Sequence, residues 1–285
     1  MTSTLRETIL ATFDTLSPKQ RELARFLMDD EEVAAFASAN DIASRVGVSA
    51  ATVVRFARSL GYEGYATLQE AVRAEFPQFR TVAEKMADRL GTAQGDENLA
   101  DQVAHASAHD VRTTLDRVTQ QDLDAAIDAI VDAHQIYIFG SGLSAAAAAL
   151  AEYSLTMLGF NAPAFHNEGI FQALQLSHLT PKDTVIVFSI WRYIRSSVAA
   201  AEVARDAGAS VIAFTDSSVS PVASLAHVVF VAETNGVAHS RSLAGLVSLV
   251  DLLSAAIAAA RPQESMAAIE RIDRLYRKNN LLLSD

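Results

Sequence analysis

The sequence predicts an all-α helix–turn–helix N-terminal domain joined to an α/β domain, the latter a five-stranded parallel sheet flanked by helices. Three observations carry this. Up to about Phe76, apolar residues recur at helical spacing (Ile9, Phe13, Leu16, then Leu23, Phe26, Leu27) with no alternating run. After His134, short apolar runs at Gln135–Phe139, Ala162–Phe165, Thr184–Phe188, Ser210–Phe214 and Val228–Val231 are separated by helical stretches. They do not alternate, as expected of strands buried on both faces of a parallel sheet. Finally, 285 residues suffice for two domains.

Taken in order, residues 1–77 form the helix–turn–helix domain, which Pro77 closes. Residues 78–120 read as a helical connector, more polar, with a break at Gly91–Gly95. Residues 121–285 form the α/β domain. The Ala145–Ala149 run is a helix face small enough to approach the sheet closely, and the last helix runs from Pro262 to about Asn279. The greasiest stretch, Ala244–Ala260, is interrupted by Ser248, Asp251 and Ser254, so it reads as a buried helix and not as a membrane span.

Composition bounds the function. Half the residues are hydrophobic and a fifth are charged, which supports a packed core and argues against wholesale disorder. The absence of cysteine excludes a disulfide scaffold, a thiolate metal site and a cysteine nucleophile, and fits the reducing cytoplasm expected for this chain. Met1–Leu10 carries Arg6 and Glu7 without an apolar centre, unlike a signal peptide. The net charge of −11 repels polyanions, so any nucleic-acid surface must be local. Residues 1–80 hold 9 basic and 11 acidic residues, against 14 and 23 in the remainder. Within the first part, Ser44–Leu60 contains Arg45, Arg55 and Arg58 and no acid.

That window lies inside Ala39–Arg58, which reads as helix–turn–helix. Ile42, Val46, Val48, Val53 and Phe56 fall at positions that must be buried, and Ala43 where the two helices touch. Gly47 falls in the turn, where a left-handed backbone costs glycine least. Ser49 is placed to cap the second helix. On that helix Val53, Phe56 and Leu60 share one face, while Ala51, Arg55 and Arg58 point away. Small residues at the helix start let its backbone enter a major groove, and the arginines then reach phosphates or guanine edges. An ordinary helical hairpin could also expose arginines. Agreement at seven positions, with an acid-free outer face, favours DNA. Arg55 and Arg58 lead as contacts, ahead of Ser49, Ala51 and Thr52; Arg45 is a phosphate contact or merely solvated.

A second site candidate is Gly140-Ser141-Gly142-Leu143-Ser144, between the first strand and an Ala-rich helix. Glycines allow a tight turn, the helix start offers amides and a positive dipole end, and Ser141 and Ser144 add hydroxyls. This describes an anion cradle at the C-terminal sheet edge, where open α/β folds bind ligands. A bare strand-to-helix turn is the alternative. A dinucleotide site fits less well, because Ala145 stands where a third glycine is needed, and His166 and Asn167 where an acid is expected, although Glu168 is near. Ser189–Ser197 holds Trp191, Arg192 and Arg195, either an aromatic wall and anion fork or a loop whose tryptophan packs on a partner subunit or the connector. Thr215–Ser218 and Ser220-Pro221 read as capping a short helix. Glu233, His239, Ser240 and Arg241 could reach the same edge. His105 and His109 have ligand spacing but no third ligand, so no metal site is expected, and no cofactor is implied.

Leu16–Ala24 (LSPKQRELA) and Asn40–Tyr65 (NDIASRVGVSAATVVRFARSLGYEGY) resemble the N-terminal domain of RpiR/MurR-type bacterial transcription regulators. The remainder resembles their sugar isomerase (SIS) domain. Gly140–Ser144 is similar to its first ligand loop, Asp183–Ser189 leads into the second, and Gly208–Asp216 with Ser220-Pro221 resembles the following strand and turn. The resemblance implies a homodimer or homotetramer that senses a phosphorylated sugar or related metabolite. It implies phosphate held by Ser141, Gly142 and Ser144, with Ser189 beside it. The second loop departs from the family's S-x-S-G-x-T: Trp191, Arg192 and Ile194 replace its second serine, glycine and threonine. Arg192 or Arg195 could restore a charged contact.

The expected function is a DNA-binding regulator whose operator affinity is set by a small anionic metabolite. Its partners are double-stranded operator DNA, the metabolite and further copies of the chain, with no membrane. The rivals are a sugar-phosphate isomerase using Glu233 or Glu168 as base, and an oligomerisation module that binds no ligand.

Overall fold

The computed structural model describes residues 5–29, 31–75, 98–165, 169–190, 193–218, 220–237 and 241–283. They fall into two compact units, Met1–Gly95 and Asp96–Asp285.

The described part of the first unit is helical: α1 (Leu5–Thr12), α2 (Pro18–Asp29), α3 (Glu31–Phe36), α4 (Ala39–Val46), α5 (Ala50–Ser59) and α6 (Tyr65–Glu75). Its core collects one face from each helix, including Ile9, Leu23, Leu27, Ile42, Phe56 and Leu68, all under 5% exposed. The helix ends explain much of the rest. Ser38 and Asp41 form a reciprocal capping box at the start of α4. The carbonyls that α3 leaves unpaired are taken up by α6, one turn after another. The Tyr65 hydroxyl donates to Ala37 O (2.8 Å), Gln69 Nε2 to the same oxygen (2.8 Å), and Arg73 Nε to Ala35 O (2.6 Å). Burial pushes the Tyr65 phenol well above its ordinary pKa, so it remains a donor.

The second unit begins with α7 (Leu99–Asp116) and α8 (Gln120–Val131), then alternates β1 (Ile136–Gly140), α9 (Ser144–Met157), β2 (Ala164–Phe165), α10 (Ile170–Leu176), β3 (Thr184–Ser189), α11 (Arg195–Asp206), β4 (Ser210–Thr215) and β5 (Val228–Val231), and closes with α12 (Ala244–Ala260) and α13 (Pro262–Lys278). The five strands pair in parallel in the order β2-β1-β3-β4-β5. Both faces are covered. Ile136, Ile138, Ile186, Phe188, Ile212, Phe214 and Phe230 pack with residues of α8, α9 and α12. Val185, Val187, Val211 and Ala213 pack on Ala200, Ala201 and Ala204 of α11. Rings of Phe188, Phe214 and Phe230 continue across three strands, with centroids 4.6 and 5.0 Å apart.

The predicted architecture is present. Three strands run one residue further than the apolar pattern implied, taking in Gly140, Ser189 and Thr215. Leu99–Asp116, expected within the connector, is the opening helix of the second unit and packs against α12. The predicted break at Gly91–Gly95, and Pro77, lie outside the described residues. Among the described residues no single helix is long and apolar enough to cross a membrane.

Candidate functional site

In the first unit the turn and second helix follow the predicted logic. Gly47 adopts φ +71° and its N–H closes α4 onto Ala43 O. Ser49 caps α5, its Oγ accepting from Thr52 N at 3.2 Å. Val53, Phe56, Ala57 and Leu60 are buried; Ile42 and Ala43 are buried beneath them. Val46 and Val48, expected in the core, are only half-buried. They flank a surface turn, and a domain this small has too little interior to cover both sides of it.

The outer face carries Ser49, Ala51, Arg55, Arg58 and, from α4, Arg45, all exposed, with Thr52 half-buried. A chain of side chains one turn apart steadies the first arginine. Ser49 Oγ and Thr52 Oγ1 lie 2.9 Å apart, and Arg55 Nη2 donates to Thr52 Oγ1 at 3.0 Å. Arg58 Nε donates to Glu63 O at 3.1 Å. Each guanidinium has five N–H groups, so further donors remain for an external acceptor. The geometry is a rigid, acid-free presentation of cations along one short helix.

In the second unit, strand order reverses around β1: its chain-order successor β2 lies on one side and β3 on the other. Ligands of open α/β sheets bind in the crevice beyond such a point. Here the starts of α9 and α11 meet. Ser141 Oγ and Ser196 Oγ are 2.9 Å apart, and Ile190 N donates to Ser144 Oγ at 3.3 Å. Gln172 Nε2 of α10 donates to Ser196 O at 2.6 Å. Gly142 adopts φ +59°, and a Cβ there would stand 2.8 Å from Ile194 Cδ1, so Ile194 fills the space above the loop. Gly140 is required by contact: its Cβ would meet Ser144 O at 2.7 Å and Ala148 Cβ at 2.8 Å. Neither α9 nor α11 has a side-chain cap. The positive ends of two helix dipoles therefore meet at the crevice, with Ala145 N, Ala146 N and Ser197 N closing short turns onto Gly142 O, Leu143 O and Ile194 O.

Ser141, Gly142, Ser144 and Ser189 thus come together, with Arg195 exposed at the first position of α11. Arg192 and Trp191 lie outside the described residues, as do Glu168, His239 and Ser240. Glu233 stands apart. It follows β5, which strand order puts three spacings from β1, roughly 14 Å. Its carboxylate is engaged by Arg117 Nη2 (2.6 Å) and Asn235 Nδ2 (2.9 Å). Ser220 keeps the capping role expected of it, its Oγ accepting from Ala223 N at 3.3 Å.

Sequence reading missed the partner of Glu233. Asp110, Thr114 and the C-cap residue Arg117 recur at helical spacing on one side of α7, and Thr114 and Arg117 hold the segment after β5. Glu233 N donates to Thr114 Oγ1 at 2.9 Å. Asp110 is fully buried, and burial raises its carboxyl pKa. Ser242 and Asn235 offset part of this, without full hydrogen-bonding geometry, and the Glu233 charge adds to it. A polar i, i+4, i+7 stripe on an otherwise mixed helix was the available signal. His105 and His109 are both exposed on α7, and no cluster of three metal-ligating side chains occurs among the described residues.

Known proteins place both units. The helix-turn-helix domain of the rpiR family matches residues 4–78, and the SIS domain matches residues 129–260. The sugar isomerase domain of an RpiR transcription factor from Sphaerobacter thermophilus is 37% identical; the match covers 62% of this chain and 99% of that one, with a TM-score of 0.61. An HTH-type transcriptional regulator of Haemophilus influenzae is 25% identical over 77% of this chain and 76% of its own length. The Vibrio vulnificus NanR protein, solved in complex with ManNAc-6P, shares the fold over 99% of this chain and 100% of that one, with a TM-score of 0.72 at 21% identity. The groove-sized arginine helix and the crevice at the strand reversal therefore sit in a member of the RpiR-type family of transcriptional regulators, which join a helix–turn–helix domain to an SIS domain.

Proposed function

We propose that this regulator binds operator DNA through α5 and that a small phosphorylated metabolite, seated between the starts of α9 and α11, sets its operator affinity. The observation that carries the effector half is the convergence of two uncapped helix N-termini around Ser141, Gly142 and Ser144. Such a site favours an anion rich in acceptors. A phosphorylated sugar fits this chemistry, and the structurally similar NanR is complexed with ManNAc-6P. Ser189 and Arg195 complete the cradle, and Arg192 is placed by sequence to add charge. In the DNA half, Arg55 and Arg58 contact phosphates or guanines, Ser49, Ala51 and Thr52 enter the groove, and Arg45 meets the backbone. One short helix gives little contact alone, so two copies read a pseudo-palindromic site.

A coupling of about 1–3 kcal/mol changes operator affinity 5- to 150-fold. What supports a regulator over an isomerase is that Glu233, the described candidate base, already holds Arg117 and Asn235. Calorimetric titration with ManNAc-6P, glucose 6-phosphate and inorganic phosphate tests the effector site. Binding of at least one, weakened tenfold or more in Ser144→Ala, is the expected outcome. Unchanged affinity in that variant moves the pocket elsewhere, and turnover of either ester makes the protein an enzyme.

A further inference from the structure

Two hydroxyls at the sheet's C-terminal edge are buried without a hydrogen-bond partner among the described residues. Ser189 ends β3 and is 2% exposed; Thr215 ends β4 and is 0% exposed. Among the described residues neither Oγ of Ser189 nor Oγ1 of Thr215 has a partner, and the two residues face each other in register. Buried polar side chains are nearly always satisfied, so two orphans side by side require a reason.

Their direction follows from the pleat. Alternate residues of a strand share a face. Ser189 continues the row of Val185 and Val187, and Thr215 the row of Val211 and Ala213, both of which pack on α11. Both hydroxyls therefore sit on the α11 side of the sheet, at the edge where α11 begins. That helix starts at Arg195 with Ile194 in the capping position, which has no hydroxyl or carboxylate to offer its amides. The hydroxyl pair and the positive end of the α11 dipole thus lie at one edge of the sheet. Asp216, the next residue, has its carboxylate turned to the Tyr193 hydroxyl (2.9 Å) and toward Arg241 (3.9 Å), which offsets its charge beside an anion.

We infer that Thr215 is an effector contact: with Ser189 it forms a hydroxyl pair on adjacent strands that donates to two oxygens of a tetrahedral oxyanion seated against the start of α11. The inference deepens the phosphometabolite reading and rests on it. Hydroxyls rotate to donate, and a phosphate monoester presents several acceptor oxygens, so one group satisfies both orphans. Thr215 then selects for a phosphate-like group over a single-acceptor ligand.

The experiment compares wild type, Thr215→Val, Thr215→Ser and Ser144→Ala by calorimetry with inorganic phosphate and glucose 6-phosphate, alongside thermal unfolding. Valine keeps the shape and removes the hydroxyl. The expected result is a loss of about tenfold to a hundredfold in affinity for Thr215→Val. Its unfolding midpoint should stay equal or rise, because an unpartnered polar group has left the interior, and Thr215→Ser should bind as wild type does. If Thr215→Val binds both probes normally while Ser144→Ala is impaired, Thr215 is no contact and the cradle stands without it. If the wild type binds neither probe, the cradle reading and this inference fall together.

Discussion

Gly140→Ala is the perturbation for which the structure sets the size of the effect. The added Cβ would lie 2.7 Å from Ser144 O and 2.8 Å from Ala148 Cβ. Both neighbours are rigid, one a helix backbone and the other a side chain with no rotamer to change. Relief to ordinary contact requires α9 to retreat by roughly 0.7 Å at its first turn. Forced overpacking of this kind costs about 1–3 kcal/mol. For a unit of this size, each kcal/mol moves the unfolding midpoint by about 2–4 °C, so a drop of roughly 2–12 °C is predicted. The same retreat acts on the proposed site, because the Ser144 Oγ to Ile190 N hydrogen bond is already 3.3 Å long. A further half-ångström breaks it. Differential scanning calorimetry reads the first effect and titration with inorganic phosphate the second. A variant that melts with wild type would show that α9 does not press on the strand end as described.

Ser49→Ala removes the cap of α5 and the first member of the chain leading to Arg55. A loss of about 1 kcal/mol is predicted for the first unit by denaturant titration, with Ser49→Asp retaining stability; equal midpoints for wild type and the alanine variant would rule the cap out as a support. Asp110→Asn tests the buried acid of α7. A carboxyl whose pKa is raised on folding destabilises the folded state once pH exceeds its unfolded value of about 3.9, and the full penalty applies above the folded value. Asn should therefore raise the melting temperature at neutral pH, with the gain shrinking on acidification and absent near pH 4. A gain independent of pH would assign it to packing.

How far the chain could be read depended on the range of the interactions. Gly47 and Ser49 were legible because turn and cap are decided within four residues of the chain. The exposure of Arg55 and Arg58 followed from helical periodicity alone. The five strands were legible because burial on both faces makes each a run of apolar residues, but their last residues were not. Gly140, Ser189 and Thr215 break the apolar pattern while their backbones continue the ladder, and two of these three belong to the candidate site. The half-burial of Val46 and Val48 depends on how much of a small domain surrounds a turn, which spacing does not encode. The pairing of Arg117 with Glu233 joins residues 116 positions apart, and no local pattern announces a partner at that distance.

The central claim is that α5 lies in duplex DNA, and the salt dependence of binding tests it most directly. Affinity for a duplex selected by the wild-type protein from a random-sequence library is to be measured at several salt concentrations for wild type, Arg55→Ala and Arg58→Ala. The account predicts weaker binding by both variants. Where the lost contact is a phosphate, the slope of log affinity against log salt should become shallower by about 0.9 per arginine removed. Identical affinities and slopes for all three proteins would place the DNA on another surface and contradict it.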